Sequence, residues 1–158
     1  MIIRHIVEQD NKALAKLIRG ILTEYEMNKP GTVFTDPTTD NLFTLFQKQN
    51  SGYWVAELDG EIVGGCGIYP TVGLPKGCIE LVKLYVNPSA RGFGLGKKLM
   101  ELSIKEAERI GYTSIYLETL PALSDALGLY QKLGFKLLDN PLGNSGHFAC
   151  NIWMVKKM

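Results

Sequence analysis

Residues 78–97 read CIELVKLYVNPSARGFGLGK, and three local signals follow one another within them. The apolar stretch Cys78–Val86 predicts a strand that ends at Asn87-Pro88, because proline cannot continue strand pairing. The segment Arg91–Gly96 contains three alternate glycines, and the apolar periodicity after it predicts a long helix to about Ile110. Strand, glycine-rich loop and helix in this order predict an anion site at the start of the helix.

The glycine loop matches neither of the two common nucleotide-binding motifs. A dinucleotide fingerprint needs G-x-G-x-x-G, but Lys97 stands three residues after Gly94. A P-loop ending at Gly96-Lys97 needs glycine in place of Arg91 and Ser or Thr in place of Lys98. Phosphate still suits the loop, because glycines leave backbone N–H groups uncovered at the positive end of the helix dipole. A flexible turn at the start of a helix is the alternative.

The neighbouring segments predict a sheet that is antiparallel in its first half. Before residue 78 the pattern predicts a strand near Ile2–Val7, a helix from about Asn11 to Tyr25, a second helix carrying Leu42, Leu45 and Phe46, and a hairpin of Tyr53–Leu58 and Glu61–Tyr69 turning at Asp59-Gly60. After the long helix it predicts a strand Ser114–Thr119, a helix Ala122–Leu133 stopped by Gly134, and strands near Phe135–Leu138 and Phe148–Val155. The predicted class is α+β, or mixed α/β.

Composition predicts one globular domain over residues 1–158. The chain is 46% hydrophobic and 21% charged, and it has no repeat, low-complexity tract or linker. The formal net charge of +1 excludes a global attraction to nucleic acid or to an anionic membrane. Glu8 and Asp10 interrupt the amino terminus before a signal peptide could form, and no segment approaches the ~20 apolar residues that span a bilayer. We therefore expect a cytoplasmic protein.

The cysteines and histidines give little basis for a metal site. The spacing of Cys66, Cys78 and Cys150 fits neither a zinc ribbon nor a redox pair, and His5 and His147 are the only imidazoles. We expect no structural metal, and no cysteine in an arrangement suited to a covalent thiol intermediate.

Glu80 lies in the middle of an apolar row. With strict alternation along the strand, one face holds Cys78, Glu80, Val82, Leu84 and Val86, and the other holds Ile79, Leu81, Lys83 and Tyr85. Burial in such a row raises the pKa of a carboxyl group toward neutrality, which suits a general base. The alternative is a strand glutamate that only bonds backbone or substrate.

These features together resemble the GNAT family of N-acetyltransferases, and the resemblance covers most of the chain. It rests on the hairpin of residues 53–65, the strand Glu80–Val86, the loop Arg-x-x-Gly-x-Gly after Val-Asn-Pro, and the segment Leu129–Phe135. The resemblance implies the acyl-CoA N-acyltransferase fold. That fold has a central, mostly antiparallel twisted sheet, flanked by about four helices and splayed between its fourth and fifth strands.

The resemblance implies that the loop cradles the pyrophosphate of acetyl-CoA, the co-substrate of the family. The residues placed there are Arg91, Gly92, Phe93, Gly94, Gly96 and Lys97. It also implies that the backbone of Leu84 and Val86 binds the pantetheine arm, as an added strand would. The N–H of Leu84 then polarises the thioester carbonyl.

The resemblance also implies two catalytic side chains. Glu80, eleven residues before Arg91, takes the place of the general base, although many relatives have no base there and use water chains. Tyr130 takes the place of the acid that protonates the departing thiolate. Read from its helical stripe alone, Tyr130 is instead a core tyrosine with a bonded hydroxyl.

Three positions near the implied acceptor site leave alternatives open. Leu123 stands where relatives often have an asparagine that contacts the coenzyme, so the sequence departs from the family there. Glu118 either faces the substrate or is only a carboxylate at a strand end. His147 either touches the substrate or makes a structural hydrogen bond.

The expected function is direct transfer of acetyl from acetyl-CoA to a primary amine, on a small molecule rather than a protein. A non-catalytic acyl-CoA sensor or interaction module on the same fold is the alternative. The presence of both Glu80 and Tyr130 favours the enzyme. The resemblance also allows a homodimer.

Overall fold

The structure is a computed structural model that describes residues 1–158, and its seven strands form one sheet. In chain order the strands are β1 (Ile2–His5), β2 (Gly52–Leu58), β3 (Glu61–Tyr69), β4 (Cys78–Val86), β5 (Ser114–Thr119), β6 (Lys136–Leu138) and β7 (Ile152–Lys157). The helices are α1 (Asn11–Glu24), α2 (Leu42–Leu45), α3 (Leu95–Ile110) and α4 (Leu127–Lys132), with 3₁₀ segments at Glu8–Asp10, Pro37–Asp40, Pro88–Ala90 and Pro121–Ala126. No helix combines the length and the apolar character that crossing a membrane requires.

The strands are arranged in the order β1-β2-β3-β4-β5-β7-β6, and only β4 and β5 are parallel neighbours. These two strands pair only where Cys78–Glu80 meets Ser114–Tyr116. Beyond these residues they separate and leave a gap in the sheet. The predicted antiparallel first half and the splay between the fourth and fifth strands are therefore confirmed.

Apolar side chains pack on both faces of the sheet and give three layers. Leu99 and Met100 of α3 are fully buried in the core on one face. Leu14 and Ile18 of α1 are fully buried in the core on the other face. Each such side chain contributes about 2 kcal/mol of hydrophobic free energy, so the two helices are held firmly on opposite sides of β4.

Two turns predicted from glycine occur where the sequence indicates them. Asp59 and Gly60 join β2 to β3 with φ values of +51° and +84°, as a tight hairpin turn requires. Gly111 ends α3 with a φ of +104°, which a residue without a side chain adopts at little cost.

The helix predicted at Ala122–Leu133 is mostly irregular. A 3₁₀ segment precedes α4, and Leu123 lies outside helical geometry with φ −96° and ψ 23°. Ser124 and Asp125 are poor helix formers, which accounts for the irregular start, and only Leu127–Lys132 is α-helical. The helix predicted around Leu42, Leu45 and Phe46 is also short, a single turn at α2.

The strand predicted at Phe148–Val155 begins only at Ile152. The backbone N–H of Cys150 donates to the carbonyl of His147 at 2.9 Å, which makes a turn. The N–H of Ala149 donates to the carbonyl of Gly31 at 3.0 Å. These bonds draw the segment toward the loop after α1 and away from the sheet.

A bulge in β4 interrupts its side-chain alternation. Gly67 of β3 pairs with Val82, but Gly65 pairs with Tyr85, so β4 has one more residue than β3 between these pairs. Lys83 has a φ of +52°, a left-handed conformation that is rare for a residue with a side chain. One extra residue reverses the direction of the side chains that follow it.

The bulge changes the faces of the second half of β4. Val82 packs against the α1-side core, and Tyr85 belongs to that same core. Leu84 and Val86 pack against the α3-side core. The strict alternation predicted from Cys78 to Val86 is therefore wrong after Lys83, and Glu80 does not share a face with Leu84 and Val86.

Candidate active site

An apolar cleft of about 730 Å³ lies beside the second half of β4. Its walls come from Leu84–Val86, from the glycine loop, and from the segment around Tyr130. The loop and strand residues predicted to bind the coenzyme all line it except Phe93, which is 76% exposed. The structure thus brings the loop and the strand of the sequence motif together around one cleft.

The shape of the glycine loop depends on two glycines in the left-handed conformation. Gly92 and Gly94 have φ values of +82° and +74°, and a Cβ on either would meet nothing within 4 Å. The constraint at both positions is therefore conformation and not space. Gly94 immediately precedes α3, so the unpaired N–H groups of the first helical turn lie at the cleft and favour an anion there.

Arg91 is held by contacts within the protein. Its Nε donates to the carbonyl of Val86 at 3.0 Å, and its terminal nitrogens donate to both carboxylate oxygens of Glu24 at 3.1 and 3.2 Å. It also donates to the Tyr25 hydroxyl at 3.2 Å. Arg91 therefore ties the loop to the end of α1, and the side chain of Lys97, which also lines the cleft, is more exposed than that of Arg91.

A second cavity, of about 470 Å³ and mostly polar in its lining, lies between three loops. It is bounded by residues 31–38, 69–72 and 144–148, and by Glu80, Val82 and Lys83 of β4. Backbone hydrogen bonds join these loops, from Ala149 to Gly31 at 3.0 Å and from Asn144 to Val72 at 2.9 Å. Hydrogen bonds therefore hold the walls of this cavity to one another.

Asp36 organises one wall of this polar cavity. Its Oδ2 accepts a hydrogen bond from Lys83 Nζ at 3.1 Å and lies 3.0 Å from His147 Nε2, and its Oδ1 accepts from the N–H and hydroxyl of Thr38. Burial alone would raise the pKa of Asp36, but the bond to His147 and the Lys83 charge hold it well below its usual range. Asp36 is therefore an anion, and both of its carboxylate oxygens already have partners within the protein.

Glu80 is only 3% exposed, and its one hydrogen-bond donor is the hydroxyl of Thr71. Burial raises the pKa of Glu80 to about 7, against the bond from Thr71, which lowers it. The charge of nearby Glu118 adds to the increase. Glu118 itself accepts from Tyr116 at 2.8 Å and from Ser145 at 2.6 Å. Glu80 can therefore take up and release a proton near neutral pH.

A small cavity of about 70 Å³ is lined by both predicted catalytic side chains, and it is called the passage below because it shares lining residues with both larger cavities. Its lining includes Glu80, which it shares with the polar cavity, and Tyr130, which it shares with the apolar cleft. Glu118 and His147 also line it. The structure therefore brings together the four side chains that the sequence assigned to catalysis and to the acceptor.

The Tyr130 hydroxyl makes no hydrogen bond to another protein group, and no buried polar side-chain atom lacks a partner, so this hydroxyl reaches open space. Burial raises the pKa of Tyr130 well above its ordinary value, so the phenol keeps its proton. A core tyrosine with a bonded hydroxyl is thus not what the structure contains. Cys150 also lines the passage, but burial raises the pKa of its thiol to about 12, which makes it a poor nucleophile.

Sequence reasoning missed Asp36, Thr71 and the role of Lys83. Asp36 and Thr71 lie in loops, and nothing in their local sequence distinguishes them from ordinary turn residues. Lys83 did carry a signal, because a lysine within an apolar strand needs a partner once it is buried. Its side chain is 4% exposed and its partner is Asp36, 47 residues earlier.

Residues 18–135 match the family model described as the acetyltransferase (GNAT) family. Among curated proteins, the chain is 38% identical over 158 residues to an uncharacterized N-acetyltransferase, YjgM, from Escherichia coli K12, covering 99% of this chain and 95% of that protein.

Solved structures with the same fold include two acetyltransferases. A GNAT-family acetyltransferase from Staphylococcus aureus Mu50 superposes with a TM-score of 0.87 at 21% identity, covering 99% of this chain and 98% of that one. The PaiA N-acetyltransferase of Thermoplasma acidophilum, solved in complex with coenzyme A, superposes with a TM-score of 0.75 at 20% identity and the same coverage. At these identities the likeness establishes the fold.

Proposed function

Because the chain belongs to the acetyltransferase (GNAT) family, we propose that it transfers acetyl from acetyl-CoA to the primary amine of a small molecule. The observation that carries this proposal is the passage that Glu80 and Tyr130 share between two larger cavities. A group able to accept a proton lies toward one cavity, and a group that keeps its proton lies toward the other. This arrangement suits direct transfer between two substrates.

Acetyl-CoA fits the apolar cleft and the glycine loop. The N–H groups at the start of α3 suit a pyrophosphate, and Lys97 adds a positive charge beside them. The separation of β4 from β5 leaves the second half of β4 without a neighbour on one side. Main-chain groups of Leu84 and Val86 can therefore pair with the amides of a pantetheine arm.

In this mechanism the proton transfers are assigned to Glu80 and Tyr130, and the stabilisation of charge is assigned to the Leu84 N–H. Glu80 takes a proton from the acceptor ammonium, and the free amine attacks the thioester carbonyl carbon. The Leu84 N–H donates to the carbonyl oxygen as negative charge develops on it. A C–N bond forms, the C–S bond breaks, and Tyr130 gives its proton to the departing thiolate. The second proton that the nitrogen loses as the amide forms restores the Tyr130 phenol, directly or through solvent, and the proton held by Glu80 is released to solvent.

The polar cavity supports a small acceptor. Its three loops are joined by backbone hydrogen bonds, and its volume of about 470 Å³ suits a small molecule. Asp36 has all of its contacts within the protein. Glu80 and Glu118 are then the carboxylates that face the passage, and together they favour a substrate that arrives as an ammonium ion.

The test is a panel of small amines and lysine-containing peptides, assayed for coenzyme A release with acetyl-CoA saturating. We expect turnover with at least one small amine and faster reaction with it than with any peptide. The same assay is run on Tyr130→Phe, which should release coenzyme A more slowly. Its control is Tyr112→Phe, because Tyr112 lies outside all three cavities. Binding of acetyl-CoA with no turnover on any amine or peptide would favour the non-catalytic sensor.

A further inference from the structure

A buried tyrosine crosses one strand of the sheet to reach the bulge in β4. Tyr53 belongs to β2 and is 1% exposed. Its hydroxyl donates to the main-chain carbonyl of Lys83 at 2.9 Å, although β3 lies between β2 and β4. The phenol ring therefore lies over β3 with its hydroxyl at the bulge.

Two glycines of β3 make room for this ring. A Cβ at Gly65 would lie 2.5 Å from the Tyr53 hydroxyl, and a Cβ at Gly67 would lie 2.6 Å from a ring carbon of Tyr53. Both distances are far below van der Waals contact. The glycines are two residues apart and so share one face of the strand. The pair is thus a groove for Tyr53, and it accounts for a glycine-rich segment inside a strand, where glycine is otherwise unfavourable.

The bulge needs a contact from outside β4. Lys83 has a φ of +52°, a conformation that persists in a residue with a side chain only when the surroundings hold it. Its side chain is held by Asp36 and its carbonyl by Tyr53. Burial raises the pKa of Tyr53 well above its ordinary value, so its hydroxyl is a donor at every working pH.

The hydrogen bond from Tyr53 also sets the direction of the next N–H group. The chain has no cis peptide bonds, and in a planar trans peptide the carbonyl and the N–H point in opposite directions. Since the carbonyl of Lys83 points at Tyr53, the N–H of Leu84 points away from it. Leu84 lines both the passage and the apolar cleft.

We infer that Tyr53 is a positioning residue for acetyl transfer, whose hydroxyl fixes the Lys83–Leu84 peptide so that the Leu84 N–H meets the thioester carbonyl oxygen. This inference rests on the proposed function, in which that N–H stabilises the developing negative charge. Tyr53 acts through the backbone and touches neither substrate.

The test is Tyr53→Phe, which removes the donor and leaves the ring in its groove. Binding of acetyl-CoA labelled with ¹³C at the thioester carbonyl is followed by difference infrared spectroscopy, with no acceptor present. We expect the carbonyl stretch to shift to lower frequency in wild type, because a hydrogen bond weakens the C=O bond, and to shift less in Tyr53→Phe. In steady-state assays we expect kcat to fall about 10-fold with the acceptor KM unchanged, since a misdirected donor costs less than a deleted one.

Tyr112→Phe is the matched control and should keep both the wild-type frequency and the wild-type kcat. Acetyl-CoA affinity measured by calorimetry reports whether Tyr53→Phe is folded. Equal carbonyl frequency and equal kcat in Tyr53→Phe and wild type would overturn the inference. If wild type acetylated no amine, the proposed function would fail, but the infrared shift would still test the role of Tyr53, because it needs only binding.

Discussion

The apolar cleft and the polar cavity meet at the same passage, but they are built by opposite means. The cleft depends on main-chain groups, with two left-handed glycines and a separated strand end supplying its donors. The polar cavity depends on side-chain charges from distant loops, joined through Asp36. We therefore expect the cleft to be sensitive to backbone conformation and the cavity to be sensitive to single polar atoms.

Tyr130→Phe tests the point where the two regions meet and should have the largest effect. Only the hydroxyl is lost, and general acid catalysis is typically worth ~100-fold or more. We expect kcat to fall by about that factor, with the dissociation constant of acetyl-CoA changed little because the ring still lines the cleft. Steady-state release of coenzyme A and calorimetry give the two quantities. Full turnover in this variant would return Tyr130 to a purely structural role.

Glu80→Gln removes the base from the cavity side and keeps its shape. Since the pKa of Glu80 is raised to about 7, wild-type turnover should rise as pH increases through about 7. The variant should lose this acidic limb of the pH profile. Its turnover should fall by only roughly 10–100-fold, because the fraction of the amine that arrives unprotonated needs no base. An unchanged limb in pH profiles of kcat, with acetyl-CoA saturating, would rule Glu80 out as the base.

The same substitution should change how stability depends on pH. Burial raises the pKa of Glu80 from 4.5 to about 7 in the folded protein, so the folded state holds this proton more tightly than the unfolded chain. The stability from the neutral carboxyl is complete below about pH 4.5 and is lost as pH rises through about 7. Between these pH values, unfolding free energy should fall on the order of 2–3 kcal/mol more in wild type than in Glu80→Gln, as measured by denaturant titration.

Gly94→Val tests the dependence of the cleft on backbone conformation. Valine is strongly disfavoured at a φ of +74°, so the N–H groups at the start of α3 should be misplaced. We expect acetyl-CoA affinity to fall about 10-fold with the circular dichroism spectrum kept, since loss of one or two charge-assisted hydrogen bonds costs about this much. Gly20→Val is the control, because Gly20 lies within α1 with open space around it. Wild-type affinity in Gly94→Val would remove the loop from the binding site.

His147→Ala tests the polar cavity and should have the smallest effect. It removes the 3.0 Å contact with Asp36, which is worth about 1 kcal/mol of stability. We expect a several-fold higher acceptor KM with acetyl-CoA affinity unchanged. His5→Ala changes the other histidine, which is exposed on β1 and stacks near Trp54, and it should alter neither constant. A change in acetyl-CoA affinity in His147→Ala would show that the two regions are not separable.

The cleft was largely predictable from sequence because its determinants are local. Gly92 and Gly94 need only their own backbone stereochemistry to be recognised, and the same holds outside the cleft for Gly111 and the Asp59-Gly60 turn. The predicted family and fold are confirmed. The roles assigned to Glu80 and Tyr130 stay predictions, although the raised pKa of Glu80 agrees with the one expected from its apolar strand.

The polar cavity was not predictable because its determinants lie far apart in the chain. The bulge at Lys83 depends on Tyr53 from another strand and on Asp36 from a loop. The sequence of β4 itself gives no sign of these contacts, so strict alternation of its side chains between the two faces was the only prediction that its pattern supported. The segment 148–151 was predicted as strand for the same reason, since its bond to Gly31 is not visible locally.

The short ladder between β4 and β5 divides the sheet into two units, β1–β4 and β5–β7. Strands β1 to β4 are neighbours in sequence and in space, whereas β5, β6 and β7 join them through three residue pairs formed only after the crossover through α3. Sub-global opening should start at this ladder, because its three residue pairs are the only strand pairing that joins the two units. A ligand that contacts both units stabilises the state in which they are joined, so its binding raises the free energy needed to separate them.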